Sequence, residues 1–176
     1  MHMASSEFKN KRIVVTDSDN YMGPVAVAHF TALGANVLAW SGALDNQTDV
    51  EALLAEAGNV DILIANFGGS PSPSLVENIT DEDWFALSNA LLHPFMRVIR
   101  AVGAQMKQAG KGKIVAMTSA SSLKAIRGAT AYSTFRGAQN AFVRAAGGEL
   151  ARHNVQLNGI AQNYVENEDY YPEEKR

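Results

Sequence analysis

Short apolar segments of strand character alternate with helical patterns along most of the 176 residues. The predicted strands cover residues 12–17, 36–40, 61–66, 113–118 and 155–161, and the predicted helices cover residues 21–33, 48–57, 80–109 and 130–152. Alternation of this kind predicts a doubly wound parallel sheet with right-handed crossovers and helices on both faces. The chain, residues 1–176, is therefore expected to form a single α/β domain, with residues 1–10 as a flexible N-terminus.

Two segments depart from a regular alternation. The connection between the strand at 36–40 and the helix at 48–57 is short, so a strand of the sheet is expected to be missing or vestigial there. Pro94 is expected to kink the helix at 80–109, because proline lacks the backbone N–H of an ordinary residue. Trp84 and Phe85 in the same helix are expected to face the core.

Composition excludes several classes of function. Hydrophobic residues make up 47% and charged residues 19%, and the net charge of −3 gives no basic field for nucleic acid. The chain has no cysteine, so disulfides and thiolate metal sites are excluded. No apolar run reaches the roughly 18 residues of a membrane span, and the polar start lacks a signal-peptide core. We therefore expect a cytoplasmic protein with no nucleic-acid, membrane or metal partner.

Three residues form a candidate proton-handling site. Ser119 follows an apolar strand, and Tyr132 and Arg136 lie one turn apart near the start of the next helix, where they share a face. Ligands of parallel sheets bind beyond the carboxyl ends of the strands, where these residues meet. A cation beside a tyrosine lowers the pKa of the phenol from about 10, so that Tyr132 can serve as a base. The alternative, an ordinary half-buried tyrosine, does not account for the other two residues.

In a dinucleotide-binding turn, glycines let the backbone approach a pyrophosphate closely. The turn after the first strand lacks most of these glycines. Thr16 and Gly23 match that glycine-rich pattern, but Asp17 and Tyr21 stand at two of its glycine positions. The ring of Tyr21 is expected to lie where pyrophosphate would, and Asp17 and Asp19 are expected to repel it. We interpret this first turn, residues 16–23, as a filled-in dinucleotide site, and expect no cofactor.

The order and spacing of Ser119, Tyr132 and Arg136, which we call the triad, resemble the short-chain dehydrogenase/reductase superfamily. That superfamily carries lysine where this chain has Arg136. Its lysine also holds the nicotinamide ribose, and the planar guanidinium does not replace an ammonium. The substitution therefore argues against a nicotinamide cofactor more strongly than it argues against the tyrosine.

The triad and the filled first turn together resemble the halohydrin (haloalcohol) dehalogenases, and the B-type members in particular. These lyases are cofactor-independent relatives of the dehydrogenases. The resemblance covers roughly residues 9–172. It implies a Rossmann-like, three-layer α/β/α fold, here without the usual C-terminal helix and strand, so that the chain is expected to be truncated relative to that family.

The resemblance also implies an activity and its residues. Vicinal haloalcohols would be converted to epoxides with release of halide and a proton, and epoxides would be opened in reverse by halide, azide, cyanide or nitrite. Ser119 and Tyr132 would hydrogen-bond the substrate oxygen, and Arg136 would support the phenolate. The halide or other small anion would lie in a pocket lined by Tyr21, Asn163, Tyr164, Val165 and Tyr171.

The resemblance further implies a homo-oligomer, a dimer or tetramer, joined through the helices predicted at 80–109 and 130–152. Two other functions stay open. One is an NAD(P)-dependent short-chain oxidoreductase with degenerate motifs. The other is a non-catalytic remnant of the fold that acts as an assembly or binding module.

Overall fold

The structure, a computed structural model, describes residues 7–69 and 73–163. Five strands and five helices alternate along these residues. The strands are β1 (Arg12–Thr16), β2 (Asn36–Trp40), β3 (Ile62–Ala65), β4 (Gly112–Ser119) and β5 (Val155–Gln162). The helices are α1 (Gly23–Ala32), α2 (Gln47–Ala57), α3 (Asp81–Leu91), α4 (His93–Ala109) and α5 (Thr130–Ala151).

The strands form one parallel sheet in the order β2-β1-β3-β4-β5. This confirms the predicted doubly wound parallel sheet. Within the described ranges β2 is an edge strand, which agrees with the strand expected to be missing before α2. The chain crosses from one side of β1 to the other between β2 and β3, so the carboxyl ends of β1 and β3 form a switch point. Sheets of this kind bind ligands at that point.

Side chains pack on both faces of the sheet. On one face α2, α4 and α5 enclose the larger part of the core, in which Leu53, Phe95 and Val102 are fully buried. On the other face Phe30 of α1 packs against Ile13 and neighbouring β-branched residues of β1 and β3. Each fully buried side chain of this size stabilises the fold by about 1.5–3 kcal/mol. The two layers hold the carboxyl edge of the sheet in a fixed position.

The helix predicted at 80–109 is two helices that meet at Leu92. Thr80 caps the first of them, because its hydroxyl oxygen accepts from the Asp83 N–H at 3.1 Å. Pro94 lies in the first turn of α4, where its missing N–H costs no helical hydrogen bond. The predicted kink is therefore present as an interruption at Leu92, whose N–H still bonds the Ser88 carbonyl, while the Leu91 carbonyl has no partner from a continuing helix.

The expectation that Trp84 and Phe85 both face the core is wrong for one of them. Trp84 packs on Phe135 of α5, with ring centroids 4.7 Å apart, whereas Phe85 is 62% exposed. The reason is geometric, since neighbouring residues of a helix point about 100° apart. α3 buries one stripe only, and that stripe contains the first of the two aromatic residues.

Within residues 7–69 and 73–163, no helix is both long and apolar enough to cross a lipid bilayer. In the same ranges, histidines and acidic residues form no group of three that could hold a metal ion.

Candidate active site

The first turns of α5 place Tyr132 and Arg136 against the carboxyl end of β4. The guanidinium carbon of Arg136 lies over the Tyr132 ring, 5.1 Å from its centroid. Arg136 is completely buried and Tyr132 is half-buried. The helical spacing therefore brings the two side chains together as the sequence predicts, with the cation beneath the surface and the phenol nearer to solvent.

Arg136 is a buried cation whose recorded partners are neutral. Its Nη1 donates to the carbonyl of Met117 at 3.3 Å and to Oε1 of Gln139 at 3.0 Å. A second ring, that of Tyr21, lies 5.5 Å from the guanidinium carbon. Nε and Nη2 are buried and have no hydrogen-bond partner among the described residues. A buried cation with unpaired donors is complementary to a negative charge placed beside it.

Ser119 is the last residue of β4 and caps the 3₁₀ turn Ala120–Leu123 that follows. Its Oγ accepts from the Ser121 N–H at 3.1 Å, and no acceptor in the described part of the chain takes its proton. Asn140 of α5 donates to the Ser119 carbonyl at 3.1 Å and to Oγ of Ser122 at 3.0 Å. The strand end is thus tied to the helix that carries the other triad residues, and the Ser119 hydroxyl remains a donor for a bound molecule.

Tyr132 lines a cavity of about 470 Å³ between α3, α5 and the segment that precedes α3. Backbone pairing closes one end of it, because the Ser74 N–H donates to the Gly128 carbonyl at 2.9 Å. The remaining lining residues are small or apolar apart from one acid: Gly69, Pro73, Ile79, Asp83, Ala86, Leu87, Ala90 and Ala131. The size is that of a site for a small organic molecule. Tyr132 is the one triad residue in its wall.

At two positions of the first turn the backbone follows a path typical of glycine, although neither residue is glycine. Asp17 has a φ of 47° and Tyr21 a φ of 55°, in the left-handed region that costs an ordinary residue about 1–2 kcal/mol. The fully buried Asn66 holds this path, since its Nδ2 donates to the carbonyls of Asp17 at 2.9 Å and Asn20 at 3.0 Å. The Asp17 carboxylate in turn accepts from the Gly68 N–H at 2.9 Å.

Tyr21 spans the switch point from the first turn to the end of β5. Its hydroxyl donates to Oε1 of Gln162, and its ring lies beneath the guanidinium of Arg136. A Cβ added at Gly68 would come within 2.8 Å of the Tyr21 Cβ, so glycine is required for this close approach. The structure thus puts one predicted halide-pocket residue next to the triad.

The residues of the first turn do not fit the pyrophosphate of a dinucleotide. Two amides at the start of α1 are bonded within the protein, Met22 to the Asn66 side chain at 3.4 Å and Gly23 to the Asn20 carbonyl at 2.9 Å. Backbone amides at a helix N-terminus are the groups that would hold the phosphates, and here these two are already engaged.

The other predicted halide-pocket residues are placed differently or not described. Asn163 is exposed, and its Oδ1 accepts from Lys124 Nζ at 3.3 Å. Tyr164, Val165 and Tyr171 lie outside the described residues. Tyr21 is therefore the member of that set for which the structure gives a contact with the triad.

Three polar residues at the site were not assigned a role from the sequence: Asn66, Gln139 and Gln162. Asn66 directly follows a fully buried strand, which is a signal that could have been used. Gln139 lies three residues after Arg136 on the inward face of α5 and is also fully buried. A buried amide on the same helix face as a buried cation indicates a hydrogen-bonded pair.

Comparison with known proteins places the chain in a family. Residues 4–171 match the family model described as short chain dehydrogenase. The short-chain reductase protein NovJ of Streptomyces niveus is 32% identical over 66% of this chain and 44% of its own length. Cyclopentanol dehydrogenase of Comamonas sp. (strain NCIMB 9872) is 29% identical over 84% of this chain and 60% of its own length. The chain thus spans about half of the length of these curated relatives.

Solved structures give the same fold with two different descriptions. A structure named "Dehalogenation enzyme" aligns with a TM-score of 0.85 at 25% identity and covers 96% of this chain and 78% of its own. A gluconate 5-dehydrogenase from Burkholderia cenocepacia J2315, in complex with NADP and tartrate, aligns with a TM-score of 0.81 at 23% identity, covering 91% and 73%.

Proposed function

Because this chain belongs to the short-chain dehydrogenase family, we propose that it is a member in which hydride transfer has been replaced by dehalogenation. The proposed activity is that of a cofactor-independent halohydrin dehalogenase, a lyase that converts vicinal haloalcohols to epoxides. The same site would open epoxides with small anions such as halide, azide, cyanide or nitrite in the reverse direction.

One observation carries this proposal: a single buried guanidinium lies between the ring of Tyr132 and the ring of Tyr21. On one side Arg136 supports a tyrosine that lines a cavity of small-molecule size. On the other side it contacts the tyrosine that fills the first turn. The contact thus joins a base for proton transfer to the region where a nicotinamide nucleotide would have to bind. The solved structure that aligns over 96% of this chain is named "Dehalogenation enzyme", which agrees with a tyrosine base beside a filled first turn.

The proposed reaction begins with deprotonation of the substrate hydroxyl. Ser119 donates a hydrogen bond to the hydroxyl oxygen, and the Tyr132 oxygen accepts its proton. Arg136 holds positive charge next to Tyr132 while that oxygen is anionic. The alkoxide then attacks the neighbouring carbon from the side opposite the halogen, so that a carbon–oxygen bond forms as the carbon–halogen bond breaks. Both electrons of the broken bond leave with the halide.

The halide is proposed to leave toward Tyr21, the predicted halide-pocket residue beside the triad. A weakly hydrated anion suits an aromatic wall together with backbone N–H groups. Asn163, Tyr164, Val165 and Tyr171 remain proposed contributors from the segment after β5. The spare donors of Arg136 add a favourable electrostatic field on the path between the reacting carbon and this wall.

A second candidate is an NAD(P)-dependent oxidoreductase, which the sequence relatives favour. NovJ is named a reductase and the Comamonas protein a dehydrogenase, and each shares about three residues in ten with this chain. In that case the triad would act on a ketone or alcohol. The filled first turn and Arg136 in place of lysine weigh against it, and the two candidates make opposite predictions for cofactor dependence.

We also propose that two copies of the chain associate through the outer faces of α4 and α5. Small residues are exposed there, among them Ala104, Ala141 and Ala145, and small residues allow close approach of helices. Light scattering coupled to size exclusion tests this. A monomer at high micromolar concentration contradicts it.

The experiment that tests the function is halide release from 1,3-dichloro-2-propanol without added cofactor, with wild type compared to Tyr132→Phe. Loss of one positioned proton acceptor is expected to lower the rate about 10²–10⁴-fold. The variant keeps the ring over Arg136, so its unfolding temperature should match that of wild type.

Two results would overturn the proposal. One is halide release that is equal in wild type and Tyr132→Phe. The other is the absence of release from folded wild type together with NADPH-dependent reduction of a ketone, which would establish the oxidoreductase instead.

A further inference from the structure

We propose that Gln139 is a positioning residue that orients Arg136 and keeps its positive charge uncompensated within residues 7–69 and 73–163. The inference rests on the proposed function, in which that charge acts on the oxygen of Tyr132. Nothing in the order of the motifs points to Gln139. Two hydrogen bonds, complete burial and a place beside the interruption between α3 and α4 distinguish this residue.

Both ends of the Gln139 amide are engaged, which fixes its orientation. Nε2 donates to the Leu91 carbonyl at 2.6 Å, and Oε1 accepts from Arg136 Nη1 at 3.0 Å. A carbonyl can only accept, so the amide nitrogen must face Leu91 and the amide oxygen must face Arg136. The side chain is completely buried, so water does not compete for either bond.

The break between the two helices supplies one of these partners. Leu91 is the last residue of α3, where carbonyls no longer have a partner from a continuing helix. From α5, Gln139 donates to that carbonyl, and its amide oxygen, held in one orientation by this bond, accepts from Arg136. The position of the guanidinium is therefore set from α3 as well as from its own helix.

The neutrality of Gln139 matters as much as its position. In the part of the chain that the structure describes, Arg136 donates to a backbone carbonyl and to this amide, and neither carries a charge. A carboxylate in the same place would pair with the guanidinium and cancel most of its field. An amide orients the cation while leaving its charge directed to the aromatic rings on either side, at 5.1 and 5.5 Å.

Other titratable groups near this arrangement lie on neighbouring elements. Tyr21 faces Arg136 from the first turn, and Asp83 of α3 lines the cavity that Tyr132 also lines. The Asp17 carboxylate of the first turn is bonded to the Gly68 amide. These groups are unchanged in the variants below, so they contribute equally to wild type and variant profiles.

The test compares Gln139→Glu with Gln139→Met in halide release over a range of pH. Both variants lose the hydrogen bond to the Leu91 carbonyl, but the Glu variant also places a negative charge against Arg136, so the rising limb of its kcat profile should move to higher pH. The Met variant removes the acceptor and keeps the charge of Arg136. Its kcat should fall about ten-fold at every pH without movement of the limb, and KM should stay within about two-fold of wild type in both variants.

Gln105→Glu is the matched control. Gln105 also bonds the backbone with both ends of its amide, accepting from the Val60 N–H at 3.0 Å and donating to the Gly58 carbonyl at 2.8 Å. It lies outside the site described above. The same chemical change there should leave the pH profile where it is in wild type.

A second readout does not need turnover. The near-ultraviolet absorbance of tyrosinate is titrated in each variant and in its Tyr132→Phe counterpart, and the difference isolates Tyr132. The isolated step should move to higher pH in Gln139→Glu and stay unmoved in Gln105→Glu. A step that does not move in folded Gln139→Glu overturns the positioning role. If the Tyr132 step moves in Gln139→Glu although wild type releases no halide, the positioning role is supported and the proposed function is rejected.

Discussion

Two segments at the carboxyl edge of the sheet, the turn after β1 and the segment after β4, use their polar groups in opposite ways. In the first, the side chains of Asp17 and Tyr21 are bonded to other parts of the protein, and Asn66, which follows β3, donates to the backbone of the turn. In the second, the Ser119 proton and two nitrogen atoms of Arg136 have no partner among the residues described.

The difference separates polar groups that stabilise the fold from polar groups that are available to bind a substrate. Buried polar groups are normally satisfied, so a cluster that is not satisfied needs an explanation. In the turn after β1, hydrogen bonds to other parts of the protein hold two residues in the left-handed region of backbone conformation. Near β4, Arg136 with these two unpaired nitrogen atoms contacts the ring of Tyr132, which borders a cavity. Under the proposed function, the second segment is where a substrate would bind, and the first is where a nucleotide would be excluded.

The largest effect on stability is expected from Gly23→Ala, which disrupts the turn after β1. A Cβ at this position would lie 2.5 Å from the Asp17 carbonyl oxygen and 2.6 Å from that of Ser18. Both obstacles are backbone, so the free energy of unfolding should fall by about 3 kcal/mol. Gly148→Ala is the control, because nothing lies within 4 Å of its added Cβ and the exposed helix should gain up to about 1 kcal/mol. Similar urea midpoints for the two variants would show that the turn yields easily.

A pair of asparagine variants sharpens the comparison. Each side chain makes two donor contacts, Asn66 to backbone of the first turn and Asn140 to the Ser119 carbonyl and the Ser122 hydroxyl. Asn66→Ala should lower the free energy of unfolding by about 2 kcal/mol, since buried carbonyls lose their donors. Asn140→Ala should cost less stability and lower halide release more than Asn66→Ala does. Equal losses of activity in the two variants would argue that the segments are not distinct.

The smallest change in stability is expected for Arg136→Met. Removing a buried cation with two unpaired nitrogen atoms should alter the free energy of unfolding by about 1 kcal/mol or less, and in either direction. Halide release should fall strongly nevertheless, because the charge beside Tyr132 is lost. Denaturation and activity are measured on the same preparation. A loss of several kcal/mol would mean that Arg136 serves the fold first.

Much of the fold could be predicted because its signals are local. Apolar runs of strand length, glycine after α1 and proline at the start of a helix each act within a few residues, and the observed elements follow them. The break at Leu92 was anticipated only as a kink. Pro94 indicates where a helix is interrupted, but it does not indicate that Gln139 of α5 bonds the Leu91 carbonyl at the interruption.

The site was predictable where residues share one helix and not where contacts are distant in sequence. Tyr132 and Arg136 meet because one turn separates them. Gln139 bonds the carbonyl of Leu91, 48 residues away, and Tyr21 bonds Gln162, 141 residues away. Contacts of that range depend on the order of strands in the sheet. Sequence spacing alone carries no information about them.

The backbone of the first turn follows a path that suits glycine at two positions where other residues stand. Asp17 and Tyr21 hold dihedral angles that glycine adopts without strain, so glycine would fit at either position with no movement of β1, α1 or Asn66. What this turn can admit is therefore set by two side chains, and each of them can be exchanged separately on an unchanged scaffold.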